Sequence, residues 1–189
     1  MKNIWLIYLL LFVQTTVFAQ TDVAAIKQTV LEYMEIVEDK NYLKTMDYLY
    51  PKLFDIVPRS KIEESLRKQL EETKIQVEVK NSKVEAVSKV LLVKEVKYAL
   101  VDYSFLMIMI IPEEEKDGLE AMLAIFKSNY GEKNVSLDVE KRAFNIEMLS
   151  AAYVINDPEY NGWKFLERKK ELLPLLENML PKKVLRKLK

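Results

Sequence analysis

Three features of the chain predict an α+β domain. Apolar residues recur with the helical period of about 3.6 from Ile26 to Leu70. From Ile75 they alternate with the period of 2 that marks half-buried strands. After Phe165 the helical spacing returns and runs to the C-terminus. Helices first, then a meander of antiparallel strands with one helix inserted, then a terminal helix, is an α+β order. The N-terminal helices are expected to pack on a bent antiparallel sheet, giving a cone-like body.

The first element is a leader. Lys2 supplies a positive start, Ile4 to Val13 is almost purely apolar, and Val17-Phe18-Ala19 places small residues where a signal peptidase needs them. The apolar run is shorter than the roughly 20 residues a membrane-spanning helix needs. No cysteine follows it, so no lipid anchor is expected. Residues 1–19 therefore read as a signal peptide and 20–189 as a single domain, periplasmic or extracellular, with no integral membrane segment after cleavage.

In the mature chain, Ile26, Val30, Tyr33, Met34 and Val37 share one face of a first helix. Asn41 is positioned as the N-cap of a second, whose apolar side is Tyr42, Leu43, Met46, Leu49 and Tyr50 and which Pro51 ends. After the linker "PKLFDIVP", Ser60 to Glu63 has the form of a capping box opening a third helix with Ile62, Leu66 and Leu70. Ile75, Val77 and Val79 begin the strands, and Asn81-Ser82 reads as a turn before Val84 and the run 87–93. A long strand from Val96 to Ile111 follows, apolar on both faces in its second half. Asp117 to Glu120 opens the inserted helix, with the stripe Leu119, Met122, Leu123, Phe126 and Tyr130 and a stop at Gly131. Val135, Leu137 and Val139 alternate as another strand.

Phe144, Ile146 and Met148 then have one parity, and Leu149, Ala151, Tyr153 and Ile155 the other. A β-bulge produces such a switch, and so does a change in which face is covered. Asn161-Gly162 signals a two-residue hairpin, with Trp163 and Phe165 starting the return strand. Leu172, Leu173, Leu176, Met179 and Leu180 form a C-terminal helix, which Pro181 interrupts before Val184, Leu185 and Leu188.

This order of elements resembles the nuclear transport factor 2-like superfamily over nearly the whole mature chain. The stretches "DYLYPKLFDIVP" (47–58), "KYALVDYSF" (97–105) and "NGWKFLE" (161–167) are similar to secreted bacterial members of it, a branch to which no reaction is assigned. The resemblance implies the cone fold. The inserted helix and the long C-terminal helix depart from its simplest plan, and either is placed to cover the open side of the cone.

Composition removes many chemistries. With no histidine and no cysteine, catalytic triads, Cys–His dyads and His- or Cys-ligated zinc are impossible within one chain. Three glycines cannot supply a phosphate-binding loop or a dinucleotide fingerprint. With 29 basic and 29 acidic residues, the chain lacks the basic footprint of a nucleic-acid binder. The string "DPEYNG" (157–162) imitates the start of a calcium loop, but Arg168 stands where the bidentate glutamate belongs, and a hairpin turn is the better reading. No metal and no cofactor are expected.

Asp102 remains, at the head of the most apolar run. On an alternating strand it shares a face with Tyr98, Leu100, Ser104, Leu106 and Ile108, while Tyr103 points the other way. If that face lines the cone, burial raises a carboxyl pKa and makes a general base. The candidate catalytic groups are then Asp102, Tyr103 and Tyr33, in an isomerase- or lyase-like enzyme. The candidate ligand pocket is Tyr98, Asp102, Ser104, Leu106, Tyr153 and Trp163. The leading expectation is different: a non-enzymatic exported domain that binds a partner protein or a small apolar ligand, with a homodimer as one arrangement. A strand apolar on both faces needs a second cover, either the C-terminal helix or another subunit. The leader makes a direct prediction: when exported from a bacterial host, the protein has the intact mass of residues 20–189, and a mass that retains residues 1–19 refutes the cleavage.

Overall fold

The computed structural model describes the backbone of residues 3–115 and 118–189, and side chains at 21–114 and 118–189. The α-helices are α1 (Asn3–Glu38), α2 (Tyr42–Thr45), α3 (Arg59–Glu72), α4 (Leu119–Tyr130), α5 (Leu173–Met179) and α6 (Lys182–Lys187). The strands are β1 (Gln76–Val87), β2 (Leu91–Val93), β3 (Val96–Ile110), β4 (Val135–Asp138), β5 (Ala143–Asn156) and β6 (Lys164–Glu167). The architecture is α+β, with one open antiparallel sheet. The leader side chains lie outside the described ones, as does Asp117 at the expected start of α4. Among the described residues no helix is long and apolar enough to cross a membrane.

The sheet is organised by β3 and β5, which pair in one unbroken register from Lys97↔Asn156 to Ile110↔Ala143. β1 and then β2 line the outer side of β3, and β4 and β6 line the outer side of β5. Side chains alternate between faces, so the long central pair presents four quarters, two ends on each of two faces. Ala99, Val101 and Tyr103 with Ala152 and Val154 make the first quarter, covered by Ile26, Val30 and Met34 of α1. Beyond it on the same face, Met107, Met109, Phe144 and Ile146 pack under Leu119, Met122 and Phe126 of α4. On the opposite face, Tyr98, Leu100, Tyr153 and Ile155 are sealed by Leu176, Leu180, Val184 and Leu188 of the C-terminal segment. On the fourth quarter, Ser104 to Ile110 with Ala143 to Leu149, no helix packs among the described residues.

This explains the parity switch in β5. The register carries no bulge there. Phe144 and Ile146 face α4, while Tyr153 and Ile155 face the C-terminal helices, so the cover changes face along a regular strand. The bulges lie instead in β1, between Lys80 and Lys83 and between Val84 and Ala86. Asn81, which the sequence suggests as a turn, adopts φ 58° inside the first bulge, and β1 continues through it.

Other local expectations shift for identifiable reasons. The second helix is α-helical only to Thr45 and runs on as a 3-10 turn over Met46–Tyr48; the chain becomes extended at Leu49, which bridges Phe165, and the Tyr50 N–H donates to the Phe165 carbonyl at 3.0 Å. Pro58 starts α3, so Ser60 lies within the helix and no side-chain cap forms; Arg59 bonds Glu63 at 3.1 Å instead. Val139 is 69% exposed in the β4–β5 turn and does not extend the strand. The expected two-residue hairpin at Asn161-Gly162 is a longer loop between Asn156 and Lys164. Conversely, Lys94-Glu95 closes a tight β2–β3 hairpin that no glycine or asparagine announces.

The C-terminal cover is thus a structural necessity. Leu176 is fully buried in its cluster, and Leu176→Ala is expected to cost about 2–5 kcal/mol, the usual range for such a cavity. Urea unfolding measures it, and a loss below about 1 kcal/mol refutes the cover's importance.

Candidate functional site

Asp102 and the two tyrosines proposed to act with it stand on opposite faces of the sheet. Asp102 pairs with Ala86 and Ala151 and is half-buried at the boundary between the C-terminal cover and the open quarter. Tyr103, its neighbour in the strand, belongs to the core under α1, and Tyr33 of α1 packs there too. A backbone layer therefore separates the candidate base from both candidate oxyanion donors, and one substrate cannot touch all three. The candidate pocket divides in the same way. Tyr98 and Tyr153 are buried in the C-terminal core, where the Tyr153 hydroxyl donates to the Leu188 carbonyl at 3.2 Å. Trp163 lies in the core of the other face. Ser104 and Leu106 stand in the open quarter, where the Ser104 hydroxyl donates to the Glu85 carboxylate.

Tyr33 and Tyr103 do come together, and the third member of their group is Glu167, which the sequence does not single out. The three line a cavity of about 10 Å³ with Val30, Leu49, Ala152 and Phe165. That is room for a single water. Burial, reinforced by the Glu167 charge, pushes the Tyr33 hydroxyl up to about 12 and pushes Tyr103 well above the usual phenol range. Both therefore remain neutral hydrogen-bond donors at physiological pH. Tyr33 also stacks at a tilt on Phe165, 5.2 Å between ring centres. The interior between α1 and the sheet is a filled aromatic seam.

The most constrained polar group is Asp157, a buried charged residue at the mouth of the β5–β6 loop. Its Oδ2 accepts from the Tyr50 hydroxyl at 2.7 Å and the Lys52 ammonium at 3.2 Å, and its Oδ1 accepts from the Glu159 N–H at 3.1 Å. Burial acts to raise its pKa, but the Tyr50 hydrogen bond, the Glu159 N–H and Lys52 outweigh it, and the carboxyl is held below its ordinary value. Burial and the bond to Asp157 in turn push the Tyr50 hydroxyl up. The aspartate of the calcium-like string is thus an internal fastener, tying the loop to the segment after α2. Among the described residues no cluster of three carboxylates is placed to hold a metal.

The open quarter of the sheet has a definite character of its own. Leu106, Ile108 and Ile110 run down the middle of β3, half-buried, and Leu149 beside them on β5 is 73% exposed. Cross-strand rows set their surroundings: Lys80–Leu106–Glu147, then Glu78–Ile108–Asn145, then Gln76–Ile110–Ala143. An aliphatic stripe thus runs between a β1 side carrying Lys80 and a β5 side carrying Glu147. A regular, half-apolar sheet face without catalytic groups is suited to packing against another surface. A scan of protein-family models and searches of the curated proteins and the solved structures find no match to this chain.

Asp157→Asn keeps the shape and removes the charge. It is expected to cost about 2 kcal/mol at pH 7, the scale of hydrogen bonds to a charged group. Because the folded carboxyl titrates below its unfolded value of about 3.9, its stabilisation is present above about pH 4 and lost as pH falls through the folded value. Urea unfolding at pH 7 and pH 3 should show the variant losing less stability on acidification than the parent. Equal acid losses refute the role.

Proposed function

We propose that this chain is an exported, non-catalytic interaction domain that pairs with a second copy of itself through the open quarter of its sheet. The observation that carries the reading is the stripe Leu106, Ile108, Ile110 and Leu149, uncovered among the described residues, on a sheet whose other three quarters are packed against the chain's own helices. Full burial of such side chains contributes roughly 1.5–3 kcal/mol each, and the half-buried ones retain part of that gain for an outside partner. The separation of Asp102 from Tyr33 and Tyr103 counts against the enzyme reading, and the water-sized cavity between the two tyrosines leaves no room there for an apolar ligand.

Charge favours a second copy as the occupant. A two-fold axis parallel to the strands lays β1 of one copy over β5 of the other and each cross-strand row over itself. Lys80 then faces the partner's Glu147, and the aliphatic stripe meets its equivalent across the roughly 10 Å that separates packed sheets. Lys80 is held at 2.7 Å from Glu78 on its own strand, and Glu147 is exposed with no ion pair among the described residues. An axis across the strands would set β1 over β1 and leave Glu147 unmatched.

Sedimentation velocity across a concentration series tests this. The parent protein is expected to dimerise, and Ile108→Asp to give only monomer. Lys80→Glu and Glu147→Lys should each weaken the dimer by about tenfold, the effect of losing two symmetry-related ion pairs worth about 0.7 kcal/mol each, and the double variant should restore it. A parent protein that stays monomeric at high concentration sinks the reading. A dimer indifferent to all these substitutions moves the interface elsewhere.

A further inference from the structure

α3 is a fourteen-residue helix with no buried residue, although Ile62, Leu66 and Leu70 form an apolar stripe along it. Leu70 is 46% exposed. The helix stands off the sheet, and between it and the start of β1 lies a groove of about 580 Å³. Leu66, Gln69 and Leu70 form its helical wall, Ile75 and Val77 its strand side, and Tyr42 closes it from α2.

β1 pairs only with β3, so it is an edge strand over Gln76 to Lys80, before its first bulge. Alternate backbone N–H and C=O groups there point away from β3. Among the described residues no backbone hydrogen bond reaches that outer edge of β1. A helix laid in the groove would leave those groups unmatched, whereas an extended strand satisfies them and sends alternate side chains toward Leu66 and Leu70. Strand addition beside a helix is a recurrent way of capturing a peptide. A second copy adding its own β1 would bring its α3 into the same space, so the two helices would compete for it.

The ionisable lining of the groove is cationic: Lys40 and Lys74, with no acid among the lining residues. Lys74 is exposed with no ion pair among the described residues, and Lys40 reaches only Glu78, at 3.8 Å. We propose that the groove between α3 and the edge of β1 binds an extended, carboxylate-bearing segment of a partner protein by strand addition. Its apolar side chains dock on Leu66 and Leu70, and its acidic ones meet Lys40 and Lys74. This site is separate from the open sheet quarter and does not depend on it.

The probe is a fluorescein-labelled seven-residue peptide of alternating glutamate and valine with both ends blocked, titrated with the purified protein by fluorescence anisotropy. Saturable binding is expected, at least tenfold tighter than for the matching lysine–valine peptide. N-methylation of alternate amides, which blocks strand pairing, should weaken it by tenfold or more. Leu70→Asp, at an exposed position, should abolish binding while leaving the far-UV circular dichroism unchanged. Lys40→Glu with Lys74→Glu should reverse the preference toward the lysine peptide. Ile108→Asp should leave binding unchanged. No saturation by the acidic peptide overturns the proposal. So do equal affinities for the acidic and lysine peptides, equal affinity for the N-methylated peptide, or full binding by a folded Leu70→Asp variant.

Discussion

The unbroken pairing of β3 with β5 is the constraint on which the rest of the molecule depends. Two long strands in continuous register expose two faces along their whole length, and an apolar face must be covered or carried at a cost. In its second half the strand from Val96 to Ile111 is apolar on both sides, and most of the helices are placed by the need to cover the central pair. α1 and α4 divide one face end to end, and the C-terminal helices take the adjoining half of the other. The helical material covers three quarters of the central pair. The quarter left uncovered among the described residues is a consequence of that geometry.

The second constraint is polar and holds the closed end together. Asp157 stands where β5 leaves the sheet, and Tyr50 and Lys52 reach it from the segment that has just left α2. The same segment is stitched to β6 by the Tyr50 N–H and by the Lys164 ammonium, which donates to the Asp47 carbonyl at 2.8 Å. A buried carboxylate costs stability when alone and contributes when it is paired and hydrogen-bonded. Here three donors reach it, so the loop that resembles a cation site in sequence is committed to holding two chain segments in place.

Interior and exterior differ in character. The interior, where Tyr33 and Tyr103 meet Glu167, is packed to the volume of one water. The exterior offers an aliphatic sheet quarter and a strand-edge groove, each with its own charge pattern.

The sequence by itself determined the α+β order, the helical faces of α1, α4 and the C-terminal segment, and the length of the central strand. Those are local properties, written in periods of 3.6 and 2 that each window of chain carries alone. It also excluded whole classes of chemistry by the residues it lacks. What Asp102 faces, by contrast, depends on which side of β3 the helix α1 chooses, and nothing in residues 97–112 records that choice. Glu167 joins Tyr33 and Tyr103 only because β6, α1 and β3 converge, and Asp157 turns inward only because Tyr50 arrives from more than a hundred residues away. The parity switch at Met148-Leu149 was legible as a pattern, but a bulge and a change of cover write the same pattern. Only the tertiary structure decided between them, because the cover of a strand is set by distant elements and not by the strand's own residues.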